Sequence, residues 1–465
     1  MIPAERGSLH AGRALTIVVA MPRFLPALLV ALACGGHHEA SAPTAPRPSR
    51  LPAPPARAED PAAADAVAAA VRAHEVLTAR SVVPSRSDVL CNAAMNAAAA
   101  VVGQPAEAVA WSGDGERDRP LLENRLTSLL ARAKKPLPAD LSLELARAMA
   151  MAAQNPHVWA VDAPIMANVL ALISGQKGSG LGFDAHAAGG HWVVSDVHAG
   201  GPAAAAGVKR GDVVVSLDRR PFDEQSLFRV TLFLTAGQHV DLEIESGGKR
   251  KLMDLEAAVV ARPIVTSRVL GKGVGYIHIH YLPRSKDPAG DAGVLLAGAL
   301  KELDAKKVDK LVIDLRDDGG GNPFDVASIL IHADGPLLMG QDPGGKPEPI
   351  PRSAEAWKKR HKLAVLVNAQ SYSAAEMVAL AIQAYGEGRL FGEPTGGALT
   401  FPGQENLPGG VTLFFPAGLT LDPRGKLPER QRVTPDEAVP STTAADIAAG
   451  RDAQLDAAVA WLKKR

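Results

Sequence analysis

The sequence predicts an α/β domain, a layered sheet with helices, preceded by a helical N-terminal subdomain and an inserted β-rich module. Three observations carry that reading. From residue 262 to about 440, strand-like runs ("GVGYIHIHYL", "KLVIDLR", "LAVLVN", "GRLFGEP", "GVTLFFPAG") alternate with helical runs ("AGVLLAGALKELDA", "PFDVASILIH", "SAAEMVALAIQAYG"). Such alternation is the pattern of a sheet covered by helices. Upstream, "DAVAAAVRAHEVL", "DVLCNAAMNAAAAVV", "LLENRLTSLLARAKK" and "LSLELARAMAMAAQ" place apolar residues at three- and four-residue steps, the period of an amphipathic helix. Between the two, "HWVVSDV", "DVVVSLD" and "HVDLEIES" alternate and are separated by glycine-rich turns, which marks short strands.

The chain has 465 residues, more than one compact core serves, so several domains are expected. Lys plus Arg equals Asp plus Glu at 50 each, which argues against a nucleic-acid binder with its basic excess. With 2 cysteines there is no disulfide framework. From Met21, "MPRFLPALLVALACGG" gives a positive end, a short apolar run and Cys34 followed by glycines. The run is too short to span a bilayer and fits a secretory segment. Residues 1–34 are therefore read as a signal peptide. Residues 35–62, rich in Pro, Ala and Ser, form a linker that cannot pack a core. Residues 63–174 form the helical subdomain, 175–260 the β-rich module and 262–465 the layered-sheet domain.

Three stretches carry chemistry. "GSGLGF" (178–183) supplies glycines whose successive N–H groups can form a nest for a carboxylate. "LVIDLRDDGGGNPFDVASIL" (311–330) is a strand, a glycine turn and a helix, a geometry that leaves backbone donors facing a substrate. "AVLVNAQSYSAAE" (364–376) is a strand running into a helix that Ser373 opens, with N–H groups and the positive end of the macrodipole beside its hydroxyl. Spacing alone equally allows Ser373 to be an N-cap with Glu376 closing a capping box. His278 and His280, two apart in "YIHIHYL", point the same way on a strand. They are rival bases or a metal pair. No third ligand stands at a telling spacing, so no metal is expected.

Taken together, the β-rich module resembles a PDZ domain, with Gly180, Leu181, Gly182 and Phe183 matching its carboxylate-binding loop. "DLRDDGGG", "N-x-x-S-x-S-A-A-E" and the closing "V-T-P-D" resemble the tail-specific, or C-terminal processing, serine peptidases of family S41. The resemblance implies Ser373 as nucleophile and oxyanion donors at Gly320 or Gly321 and Ala374. It also implies capture of a polypeptide end by the PDZ module. Where the Ser–Lys branch carries its lysine, "GEPTGGALT" has Ala398, and no lysine occurs between Lys362 and Lys426. A serine without a positioned base is a poor nucleophile. The branch resembling the tricorn core protease uses a histidine ahead of the PDZ module and a glutamate ahead of the terminal motif, which implies His157 as general base and Glu429 as the orienting carboxylate. Pro156 stands where that branch has a serine. Cys34 at the end of the apolar run resembles a lipoprotein acylation site, implying a protein on the periplasmic side of a bacterial envelope, while the peptidase resemblance implies polypeptide substrates and no cofactor. The rival expectation is a peptide-binding lipoprotein of the same fold with an inactive site.

Overall fold

The computed structural model describes residues 60–271 and 273–464; Cys34 and most of the linker lie outside them. The first helix, α1 (Pro61–Glu75), starts within the segment read as linker, with Pro61 at its first position and Asp60 accepting from the Ala62 N–H. Proline fits there because its missing N–H would be unpaired anyway. It is followed by α2 (Ser87–Val102), α3 (Gly115–Leu130) and α4 (Leu141–Ala152). Alanines 66, 69, 70 and 73 of α1 are all fully buried, so α1 packs closely against its neighbours. The helices also pack on Leu407, Val411, Leu413 and Phe415 from the far end of the chain, so their core is shared with the C-terminal domain. β1 (Trp159–Val161) and α5 (Ala163–Ile173) complete this part.

The β-rich module is an insertion whose ends meet: Gly178–Gly180 pairs antiparallel with Ala258–Val260. Its core gathers Leu181, Phe183, Val194, Leu242 and Leu255 among others.

Downstream lies a six-stranded sheet of β2 (Val265–Gly271), β3 (Val274–Ile279), β4 (Lys310–Asp314), β5 (Lys362–Val367), β6 (Gly388–Gly392) and, at its edge, Glu437–Ala438, in that order. Every pairing after β2–β3 is parallel. Side chains alternate between faces as a strand requires. Ile277, Ile313, Leu363 and Val365 pack under α6 (Ala292–Ala305), α7 (Phe324–Leu330) and α8 (Ala374–Tyr385). Tyr276, Val312, Leu366 and Phe391 pack under Ala458 and Leu462 of α9 (Ala453–Lys463). The run "GVTLFFPAG" belongs to neither face. It lies in a second, antiparallel sheet in which β8 (Val411–Leu421) joins β1 and β7 (Thr400–Leu407). A parallel sheet presents its ligand-binding crevice beyond the carboxyl ends of its strands, and the two motif stretches of this domain, 311–330 and 364–376, turn there from strand to helix.

Candidate active site

The two serines that follow β5 have different surroundings. Ser371 is fully buried; its hydroxyl donates to the Leu315 carbonyl at 2.7 Å and accepts from the Asn368 N–H at 3.0 Å. It ties the loop after β5 to the loop after β4 and has no proton to give. Ser373 is half-buried and sits at the N-cap of α8 with φ +52° and ψ −110°. That conformation lies outside the left-handed helical well and is costly for a residue with a side chain. It is held by the glycine turn: a Cβ on Gly320 would lie 2.9 Å from the Ser373 Cβ and 3.3 Å from the Ala374 nitrogen. Tyr372 N–H donates to the Asp318 carbonyl at 2.9 Å, locking the same two loops together.

The expected donors are not equivalent. The Gly320 N–H is committed to Asp318 Oδ1 at 2.7 Å. Gly321 and Ala374 N–H groups donate to nothing among the described residues. Asp318 itself is fully buried, and its second oxygen has no partner among the described residues. Burial pushes its carboxyl well above the usual range.

Glu376 does more than cap. It accepts from Ser373 N–H at 2.9 Å and Ala398 N–H at 2.7 Å on one oxygen, and from Gly397 N–H at 2.9 Å and the Thr395 hydroxyl on the other. Burial pushes its carboxyl up to about 7 against the pull of those donors. Ala398, at the lysine position of the Ser–Lys branch, is thereby fastened by its backbone to the same carboxylate as the Ser373 N–H. Two residues further, Thr400 Oγ1 lies 2.5 Å from His157 Nδ1. The Ser373 and Ala398 N–H groups share Glu376, and Thr400 stands two residues beyond Ala398, but no hydrogen bond joins His157 to Ser373 among the described residues. His157 meets Thr400 because β1 pairs with β8 (Trp159 opposite Phe414) and because Asn155 Oδ1 accepts the His157 N–H at 2.9 Å. Burial, with no counter-charge, holds its imidazole down at about 4.

Among the described residues, none of the other expected residues hydrogen-bonds to Ser373 or His157. Glu429 is exposed on a single 3₁₀ turn with no side-chain partner among the described residues. His278 and His280 stack at 3.8 Å between ring centroids. His278 Nε2 contacts the Arg316 carbonyl at 3.3 Å, and His280 faces Asp196 of the inserted module at 3.8 Å. Asp184, Asp196 and His280 gather ligand atoms within 4.8 Å of one another, but Asp184 is already held by Arg262 at 2.7 Å and His198 at 2.9 Å. A guanidinium on the central carboxylate opposes a cation.

In the glycine loop of the inserted module, Leu181 and Phe183 turn their side chains into the core and Gly182 takes φ +79°. The Leu181 N–H meets the Val230 carbonyl at 3.2 Å, so one donor of the nest is covered. The module is fastened to the site region by His186 against Asp317 at 3.3 Å and by the Tyr372 hydroxyl donating to Glu224. Three residues not singled out from sequence organise the region. Arg316 is clamped by Asp314 at 2.6 Å and Asp452 at 3.0 Å, while Asn368 accepts from the Asp317 N–H at 3.1 Å. Asp317, at φ +60°, is the third. Their signal was present as unexplained polar residues in otherwise apolar strand ends.

A strained serine at a helix N-terminus, beyond the carboxyl edge of a parallel sheet and facing a glycine turn with unengaged N–H groups, is the layout of a serine-hydrolase site. Comparison with known proteins places it further. Residues 273–439 match the model of peptidase family S41 and residues 179–257 that of the PDZ domain, so the chain carries an S41 peptidase domain with a PDZ domain ahead of it. It is 26% identical over 263 residues to carboxyl-terminal-processing peptidase 2, chloroplastic, of Arabidopsis thaliana, covering 54% of this chain and 50% of that one. It is 27% identical over 248 residues to carboxy-terminal processing protease CtpB of Bacillus subtilis (strain 168), covering 51% and 50%. The chain thus spans about half the length of these relatives. Its fold is similar to that of the photosystem II D1 C-terminal processing protease, at a TM-score of 0.50 and 23% identity over 76% of this chain and 93% of that one.

Proposed function

We propose that the protein is a serine endopeptidase that binds polypeptide chain ends through its PDZ domain and cleaves peptide bonds through an acyl-enzyme. Ser373 Oγ attacks the scissile carbonyl while His157 takes its proton. The developing oxyanion is met by the Gly321 and Ala374 N–H groups, where preorganised donors act most strongly. His157 then protonates the leaving amine as the C–N bond breaks; next it takes a proton from a water that attacks the acyl carbonyl and returns it to Ser373 Oγ as the ester bond breaks, which frees the acid. The observation that carries this reading is Ser373 itself, held at φ +52° against Gly320 while its neighbour Ser371 is fully engaged in the loop. Placement on the periplasmic side of a bacterial envelope, anchored through acylated Cys34, completes the proposal. It rests on the N-terminal sequence alone.

The rival reading, a peptide-binding lipoprotein with an inactive site, draws on Ala398 standing in the lysine position. Labelling with a fluorophosphonate, read by intact mass, separates the two. Adduct on the parent and none on Ser373→Ala or His157→Ala is expected. Labelling that survives His157→Ala moves the base to His278 or His280. No labelling of the parent favours the peptide binder.

A further inference from the structure

We propose that Thr400 is the positioning residue of this site: its hydroxyl oxygen accepts from His157 Nδ1–H and so presents the Nε2 lone pair to Ser373. The inference rests on the reading of Ser373 as nucleophile and His157 as base. It replaces the carboxylate that such a histidine is expected to have. Among the described residues no carboxylate reaches either ring nitrogen of His157, Glu429 is exposed, and Pro156 has no donor or acceptor to offer from its side chain. The 2.5 Å contact to Thr400 Oγ1 is the sole ring contact the structure provides among those residues. Both partners are buried, Thr400 at 1% and His157 at 8% exposure, so water does not compete for the bond.

Each partner is fixed independently. Thr400 opens β7 opposite Leu419 and its N–H returns to the Ala398 carbonyl at 2.8 Å. His157 is held through its backbone by Asn155. Ala398 is the link between the two halves, being bonded to the carboxylate that also receives the Ser373 N–H. A neutral hydroxyl suits a histidine that burial keeps uncharged: acting as acceptor it keeps the proton on Nδ1 without burying an extra charge. If instead the threonine donated to Nδ1, the ring proton would sit on Nε2 and the imidazole could take nothing from Ser373.

The test uses the full chain and a fluorophosphonate probe, with the labelling rate read by intact mass. Thr400→Val keeps the volume and removes the acceptor; a loss of about 10–100-fold in rate is expected, by analogy with removal of the orienting partner of a metal-bound histidine. Thr400→Ser restores the acceptor and is expected to recover most of the rate. A parental rate in Thr400→Val, in a protein that His157→Ala silences, overturns the Thr400 role and leaves the nucleophile and base intact. If the parent takes no label, the serine reading fails first. Nitrogen-15 NMR of the His157 ring then decides the contact by itself: the proton on Nδ1 upholds it, the proton on Nε2 overturns it.

Discussion

The helical subdomain contains a serine, a histidine and an aspartate in contact, and the comparison with the Ser373 region shows what such a constellation needs before it can react. Ser87 Oγ lies 2.8 Å from His74 Nε2 and donates to Asp118 Oδ2 at 2.8 Å, and the three residues are 2%, 0% and 1% exposed. The single hydroxyl proton goes to Asp118, so His74 must donate from Nε2, which is the wrong tautomer for a base toward that serine. Asp118 also accepts from the Ser112 N–H and hydroxyl and from the Gly113 N–H. Those donors hold its carboxyl low against the upward push of burial. The Ser87 proton and both Asp118 oxygens are closed into the fold, and the one unpaired side-chain atom of the three, His74 Nδ1, is buried and meets no serine it could activate among the described residues. At Ser373 the residue types are poorer, with a hydroxyl where an aspartate would be. There the backbone is strained, two N–H groups are unengaged and the edge of a parallel sheet is open. Strain and unmet donors distinguish a site from a satisfied network; residue identity does not.

The largest effect expected from this contrast is on covalent labelling. Ser373→Ala should lower fluorophosphonate labelling by at least about 10³-fold, as loss of a nucleophile does. Ser87→Ala, assayed under native conditions by intact mass, should label at the parental rate. Stability should respond in the opposite sense. Asp118→Ala orphans the Ser87 and Ser112 hydroxyls and two backbone N–H groups, and a loss of roughly 3–5 kcal/mol is expected from buried donors left without acceptors. Denaturant midpoints measure it. A stability loss below about 1 kcal/mol in Asp118→Ala would mean that the helical network is not closed in the way described.

Much of this was legible beforehand, for reasons particular residues make plain. Most of the parallel strands read correctly because they are bounded by glycine or a turn and carry β-branched residues, as in "KLVIDLR", while "GRLFG" is marked by its bounding glycines instead. The strand–serine–helix turn read correctly because "NAQSYSAAE" ends a buried run with small and polar residues. Sequence could not separate Gly320 from Gly321 as donors, since that depends on which N–H Asp318 captures. Nor could it find Thr400, 243 positions from His157; such pairing is set by β1 crossing to β8, a long-range strand contact without local pattern. The Ser87 cluster was invisible for the same reason: His74, Ser87 and Asp118 lie on three different helices or their ends, and their sequence neighbourhoods look like ordinary amphipathic faces.

Acidification should touch the two histidines alike and so weaken the comparison from another side. Burial lowers both His74 and His157, the latter from 6.5 to about 4. Above pH 6.5 each is neutral in the folded and the unfolded chain and contributes no pH dependence. Below it the unfolded chain takes up the proton first, so stability falls as pH drops from about 6.5 toward 4. One such shift is worth up to about 3 kcal/mol for His157. Subtracting the pH–stability curve of His157→Ala from that of the parent isolates the component. A flat difference over that window would mean that the ring is already solvated in the folded protein. The acid limb of labelling is expected near pH 4 for the same reason.

The smallest expected effect concerns a second pair of carboxylates, Asp118 and Glu429. Asp118 is enclosed by four donors, whereas Glu429 stands exposed on its 3₁₀ turn with none. A solvated carboxylate with no partner contributes little to stability, and its removal should lie within about 0.5 kcal/mol. Glu429→Gln should also leave the labelling rate within about twofold of the parent, if His157 is oriented by Thr400 alone. A loss of tenfold or more in labelling, without a shift in the denaturant midpoint, would carry a different meaning. It would show that the turn at Glu429–Gln431 moves to deliver a carboxylate during the reaction. The positive φ values at Arg430 and Gln431, +52° and +54°, identify where such a movement would hinge. In that case the hydroxyl of Thr400 would hold the ring only in the resting protein. The Ser373 region would then resemble the Ser87 cluster in its residue types after all, and would differ from it only in when the carboxylate arrives.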